Sequence, residues 1–203
     1  MSRVVAGVGV VLAGVVMASC GGSSSAGADG GVGDGARPTG ENRSCMTLPV
    51  LCDVISANDV ATIFTGPATL TVMPNDHVLP GEICGWDRAH PPLHVTATYN
   101  CYNETLSTAH VTFQQLRTIA MTEDHFEDLS GIGDEAYWSY TKTSTIAFVD
   151  GSLYARVGNV IVAVSGYTQY NEDASGAQQA IDPAVAKVRA LGMIQKVMNV
   201  TGL

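Results

Sequence analysis

The chain predicts an α+β domain: a mostly antiparallel sheet of six to seven strands packed with three helices, its N-terminal half braced by disulfides. Three observations lead there. The predicted elements run helix, three strands, helix, four strands, helix, which is segregation rather than strand-helix-strand alternation. Leu93, Val95, Ala97, Tyr99 and Cys101 alternate with His94, Thr96, Thr98 and Asn100, the period of a strand with one buried face. Once Cys20 is set aside, four cysteines remain at 45, 52, 84 and 101, and an even number in an exported domain suits two disulfides.

The elements follow from local chemistry. Ser56 caps a short helix through Phe64, with Asp59 at its favourable positive end, and Gly66-Pro67 stops it. Strands are expected near Thr69 to Met73 and Glu82 to Trp86, separated by a loop holding Pro74, Asn75, Pro80 and Gly81. Ser107 to Met121 reads as a helix with Val111, Leu116, Ile119 and Ala120 on its apolar side, although its β-branched residues oppose that state. After a Gly131-Ile132-Gly133 turn come strands Glu135 to Tyr140, Ser144 to Val149, Ser152 to Val157 and Asn159 to Gly166. Asp150-Gly151 and Gly158-Asn159 are the hairpin signals joining the last three. Val160 to Val164 is apolar at every position, so that strand is expected at the centre, covered on both faces. Asp182-Pro183, a cap and a first-turn proline, opens a helix to about Asn199 with Ala184, Val188, Leu191, Ile194 and Met198 as its core stripe.

The N-terminus carries a different message. Arg3, an apolar run from Val4 to Val16 and small residues at 18 and 19 have the layout of an export signal. The run is too short for a spanning helix, which needs about 20 apolar residues. Met17-Ala18-Ser19-Cys20 resembles a lipobox, with Met in place of the usual Leu. The resemblance implies cleavage before Cys20 and thioether lipidation of its sulfur. Residues 1–19 are therefore expected to be a lipoprotein signal peptide. Residues 20–43, the lipidated cysteine and a Gly/Ser-rich stretch, lack the bulky apolar groups that could offset ordering entropy and should form a disordered tether. Residues 44–203 make one domain.

Charge narrows the partners. The chain has 10 Lys plus Arg against 19 Asp plus Glu, and losing Arg3 with the signal takes the net charge from -9 to -10. That balance disfavours nucleic acid and anionic lipid, so membrane attachment must come from the anchor.

No residue set spells out a reaction. His90 and His94 flank Pro91-Pro92 near Asp87 and Glu82, but the prolines forbid the helix that would align both imidazoles on a metal. The four domain cysteines contain no C-x-x-C pair, so neither metal nor cofactor is expected. Asp124-His125, with Glu123 and Glu127, could serve a hydrolase only if a serine or glutamate joined them. No G-x-S-x-G elbow exists, and a solvated acidic loop is the simpler reading. Gly131-Ile132-Gly133 lacks the third glycine of a dinucleotide fingerprint. Among the aromatics, Trp86, Trp138 and Tyr154 read as core, while Tyr167, Gln169 and Tyr170, placed in a loop after the central strand, form the candidate binding surface.

Four cysteines permit three pairings, and spacing alone does not choose. Cys52 with Cys84 and Cys45 with Cys101 is the preferred set, because it ties the chain before the first helix to two successive strands. Several strings, Cys52-Asp53-Val54-Ile55, Cys84-Gly85-Trp86, Gly131 to Ala136 and Val157 to Val162, resemble the actinobacterial lipoproteins grouped as domain of unknown function 3558. That resemblance implies a cysteine before the first helix bonded to one beside a tryptophan, here Cys52 to Cys84, and it brings no catalytic residues. The extra cysteines, Cys45 and Cys101, depart from the simplest pattern. The expectation is a non-enzymatic envelope lipoprotein on the outer face of the cell membrane that binds a protein, polymer or small ligand. The alternative is a secreted envelope hydrolase.

Overall fold

Strand β7 (Val160–Glu172) organises the molecule. A computed structural model describes residues 42–64, 71–74, 81–89, 93–102, 106–142, 149–172 and 178–203. Cys20, the signal and most of the tether lie outside the described residues, as does His90. β7 pairs antiparallel with β3 (Leu93–Cys101) on one side and β6 (Val149–Val157) on the other. The sheet order is β1-β2-β3-β7-β6-β5-β4, built with β1 (Thr71–Pro74), β2 (Gly81–Arg88), β4 (His125–Leu129) and β5 (Glu135–Lys142), while β8 (Gln178–Ala180) pairs with the far end of β7.

Alternation along β7 divides the core. Val160, Val162 and Val164 face α4 (Pro183–Thr201), together with α2 (Ala57–Phe64) and the single turn α1 (Leu51–Val54). Ile161 faces the other way, into a smaller cluster with Phe113 and Ala120 of α3 (Leu106–Ala120) and Tyr137 of β5. The central strand is thus covered on both faces, which is what an uninterrupted apolar run requires. Trp86 and Trp138 belong to the α4-side core, and Tyr154 stacks on Tyr137 with ring centroids 5.1 Å apart on the other side.

Local signals set the helix ends. Ser56 and Asp59 form a reciprocal box: the Asp59 backbone N–H donates to Ser56 Oγ at 3.2 Å and the Ser56 N–H to Asp59 Oδ2 at 3.0 Å. Asp182 caps α4 by accepting from Ala184 N at 2.8 Å, and Gly202 ends it in the left-handed conformation at φ 69°.

The N-terminal strap is bound to the sheet. Cys45 is bonded to Cys101 and Cys52 to Cys84, with Cα separations of 5.5 and 5.4 Å, which is the preferred pairing. Leu51 N donates to Glu82 Oε2 at 2.7 Å, and the Tyr99 hydroxyl to Pro49 O at 3.1 Å. Buried Asn159, in the β6–β7 turn, donates to Arg43 O and Tyr102 O, both at 2.9 Å. The chain therefore enters the domain at a fixed point, beside the Cys45–Cys101 bridge.

Four expectations change. β4 is a strand where the sequence predicts an acidic loop: five residues containing His125, Glu127 and Asp128 carry no strand pattern of their own, and pairing with β5 makes the strand. Asp150-Gly151 is not a turn. Residues 149–151 already belong to β6, and a Cβ on Gly151 would lie 2.2 Å from Trp138 Cη2, so the glycine is there for the indole. The remainder of the expected strand Ser144 to Val149 falls outside the described residues. On α3 the buried residues are Ala109, Phe113 and Ala120, while Val111 and Ile119 are exposed. On α4 the stripe is Ala186, Ala190, Met193, Ile194 and Val197, and Val188 is 67% exposed. Both helices bury alanines beside large apolar residues, Phe113 on α3 and Met193 and Ile194 on α4, while the β-branched Val111, Ile119 and Val188, expected on those faces, lie outside.

Candidate functional site

A cleft of about 480 Å3 opens where the β4–β5 end of the sheet meets the N-terminus of α4. His125 and Glu127 of β4, Trp138 and Tyr140 of β5, and Asp182, Pro183, Ala184 and Lys187 at the start of α4 line it. Strand register makes this grouping: His125 pairs with Tyr140 and Glu127 with Trp138, so all four side chains rise on one face. Phe126, between them in sequence, enters the opposite cluster under α3.

Charge in the cleft is mostly compensated. Lys187 Nζ donates to both Glu127 oxygens at 2.6 Å, and this bond holds the Glu127 carboxyl below its ordinary range, with His125 adding to the effect. His125 Nε2 lies 3.8 Å from Glu127 Oε2, and its ring stacks on Tyr140 with centroids 5.0 Å apart. The Asp182 carboxylate is turned to the first turn of α4 as its cap. Among the described residues that line it there is no serine, threonine or cysteine. The serine nearest in register, Ser139, sits opposite Phe126 and is buried on the other face. The arrangement offers hydrogen-bonding groups over an aromatic floor, but, among the described residues, no serine, threonine or cysteine beside its histidine.

The other sequence candidates are not gathered here. Asp124 is exposed in the bend before β4, and Glu123 precedes it. Tyr167, Gln169 and Tyr170 are not in a loop: β7 continues through them to Glu172, with Tyr167 opposite His94, Gln169 opposite Val149 and Tyr170 opposite Ala180. Pairing with β8 and β6 extends that strand beyond its apolar segment, which is why hydropathy ended it at Gly166. His94 bonds through Nδ1 to Asp87 of the neighbouring strand. Among the described residues no group of three or more His, Cys, Asp or Glu is placed to hold a metal.

A second ionic group lies under α3. Arg156, 1% exposed, donates through Nε to Glu135 Oε1 at 2.7 Å, and through Nη1 to Asp134 Oδ2 at 3.1 Å and Gly158 O at 2.8 Å. His110 and Gln114 of α3 reach the same Glu135. Glu135 is lowered despite burial that pushes the other way, because His110 and Arg156 both bond to it. Every member has a protein partner, so this network fastens α3 and the Gly131–Gly133 turn to the sheet.

No family model and no curated protein matches the chain. Among solved structures it is similar to the extracellular domain of PknH from Mycobacterium tuberculosis, with a TM-score of 0.42 and 10% identity, over 81% of this chain and all of that one. A likeness that slight carries no argument about activity.

Proposed function

We propose that the protein is a lipid-anchored, extracytoplasmic binding module of the bacterial envelope rather than an enzyme. The observation that carries the reading is the pair of disulfides tying residues 45 and 52 to strands β3 and β2. Such bonds persist in oxidising compartments and are rare in the cytosol. The signal-like start and the lipobox-like residues 17–20 supply the route outward and Cys20 as the anchor. Two or three acyl chains, at about 0.8 kcal/mol per buried CH2, would attach it durably. A tether of about 23 residues would reach on the order of 25 to 30 Å. The resemblance to the lipoproteins of domain of unknown function 3558 agrees with this assignment.

Binding suits the cleft better than catalysis, because Lys187 holds Glu127, Asp182 caps α4, and among the described residues no serine, threonine or cysteine stands beside His125. Cell fractionation of Cys20→Ala tests the anchor: the variant should leave the membrane fraction or accumulate unprocessed. A cleaved Cys20→Ala chain retained in membranes like the parent would remove the lipid-anchor reading. Intact mass of the wild type should show acyl groups on a chain beginning at Cys20.

A further inference from the structure

β4 ends the sheet, and among the described residues its strand partner is β5 alone. Side chains fix it from both faces. Glu127 is bound by Lys187 on the α4 side, while Arg117 of α3 pairs with Asp128 and stacks over the Phe126 ring, 5.1 Å from its centroid, on the other. The strand is thus held in place, and among the described residues no strand pairs with its outer backbone edge. An edge of this kind is a template for another extended chain.

Charge determines which chain it suits. Glu123, Asp124, Glu127 and Asp128 lie on or just before β4, and Asp182 stands at the cleft, against Lys187 and Arg117. The same acidic run opposes pairing between two copies of this strand, since like charges would face each other. Repelling its own copy while attracting an opposite charge is how a guarded edge becomes selective. Register supplies the second element of recognition. A strand added beside β4 would alternate its side chains, and every second one would rise on the face where His125, Glu127 and Lys187 line the cleft.

We propose that β4 is a docking edge for a basic, extended segment of a partner protein, which adds as a further strand beside His125–Leu129 and places alternate side chains in the His125–Glu127–Lys187 cleft. This rests on the binding-module reading, but purified protein tests it whatever becomes of Cys20. Backbone hydrogen bonds supply affinity in this mode, and the pocket for alternate side chains supplies specificity.

The full-length protein in non-ionic micelles is titrated with a short fluorescent peptide of alternating lysine and valine, followed by anisotropy and by hydrogen–deuterium exchange. Three comparison peptides are used: alternating glutamate and valine, the lysine peptide N-methylated at every second residue, and the lysine peptide N-methylated at the intervening residues. The expected result is saturable binding of the lysine peptide, weakened by salt, with amide exchange in residues 123–129 slowed about tenfold or more. At least one methylated peptide and the glutamate peptide should fail to bind. Glu123→Gln with Asp124→Asn, both outside the strand, should weaken binding about threefold. Absence of binding, undiminished binding by both methylated peptides, or protection confined to other segments would each overturn the proposal. So would a peptide-free dimer already protected at 123–129, which would make the occupant a second copy. An unchanged affinity in the double variant would overturn the charge selection.

Discussion

Gly151→Ala separates a local rule from a tertiary one, because the two predict opposite signs. By backbone entropy alone, alanine inside a strand should stabilise by about 0.5 to 1 kcal/mol over glycine. The structure opposes that gain. The added Cβ would stand 2.2 Å from Cη2 and 2.7 Å from Cζ2 of Trp138, whereas ordinary contacts begin at 3.4 Å, so the indole or the strand must move by more than 1 Å. Neither yields easily. Trp138 is 1% exposed, and β6 is paired on both sides, with Gly151 opposite Tyr140 and Gly166. Overpacking of this kind costs about 1 to 3 kcal/mol, and two ring atoms in conflict put it near the top. Subtracting the entropic gain leaves about 2 kcal/mol of net destabilisation, or a fall in Tm of roughly 4 to 8 °C for a domain of this size. Thermal and urea unfolding followed by far-ultraviolet circular dichroism measures it. In a double-mutant cycle with Trp138→Leu, the alanine should lose most of its cost, a coupling of about 1 kcal/mol or more. A Gly151→Ala protein as stable as its parent would refute the steric argument.

Arg156→Lys should destabilise almost as much as Arg156→Met, by about 3 kcal/mol in urea unfolding, because an ammonium cannot reproduce the Nε and Nη1 contacts to Glu135, Asp134 and Gly158. Full stability in the lysine variant would show that charge alone suffices there. On α4, Met193→Ala should cost about 2 to 5 kcal/mol while Val188→Ser stays within about 0.5, and the reverse order would place the helix face wrongly. Acid stability should depend on Asp59. The Lys196 bond, with Ser56, lowers its carboxyl from 3.8 to about 2, so the stabilisation is complete above the unfolded value and is lost as pH falls through the folded one. Solvent exposure limits it to under about 1 kcal/mol. Lys196→Met should flatten the stability slope between those two values, and an unchanged slope would remove Asp59 from the acid response.

The amino-acid order by itself determined what rests on short-range chemistry. The Ser56 and Asp182 caps, the Gly158-Asn159 turn between β6 and β7, the alternation of β3 and the unbroken apolar centre of β7 each follow from neighbours a few residues apart. Tertiary structure decided what needs a partner distant in the chain. His125–Leu129 has a strand's geometry only because β5 supplies its ladder, and Gly151 continues β6 because Trp138 lies over it. Hydropathy could not choose between Val188 and Ala190 for the core of α4, since the depth at which a helix rests on a sheet depends on both surfaces. The cleft belongs to this second class: Glu127 and Lys187 are 60 residues apart, and no local pattern says that they meet.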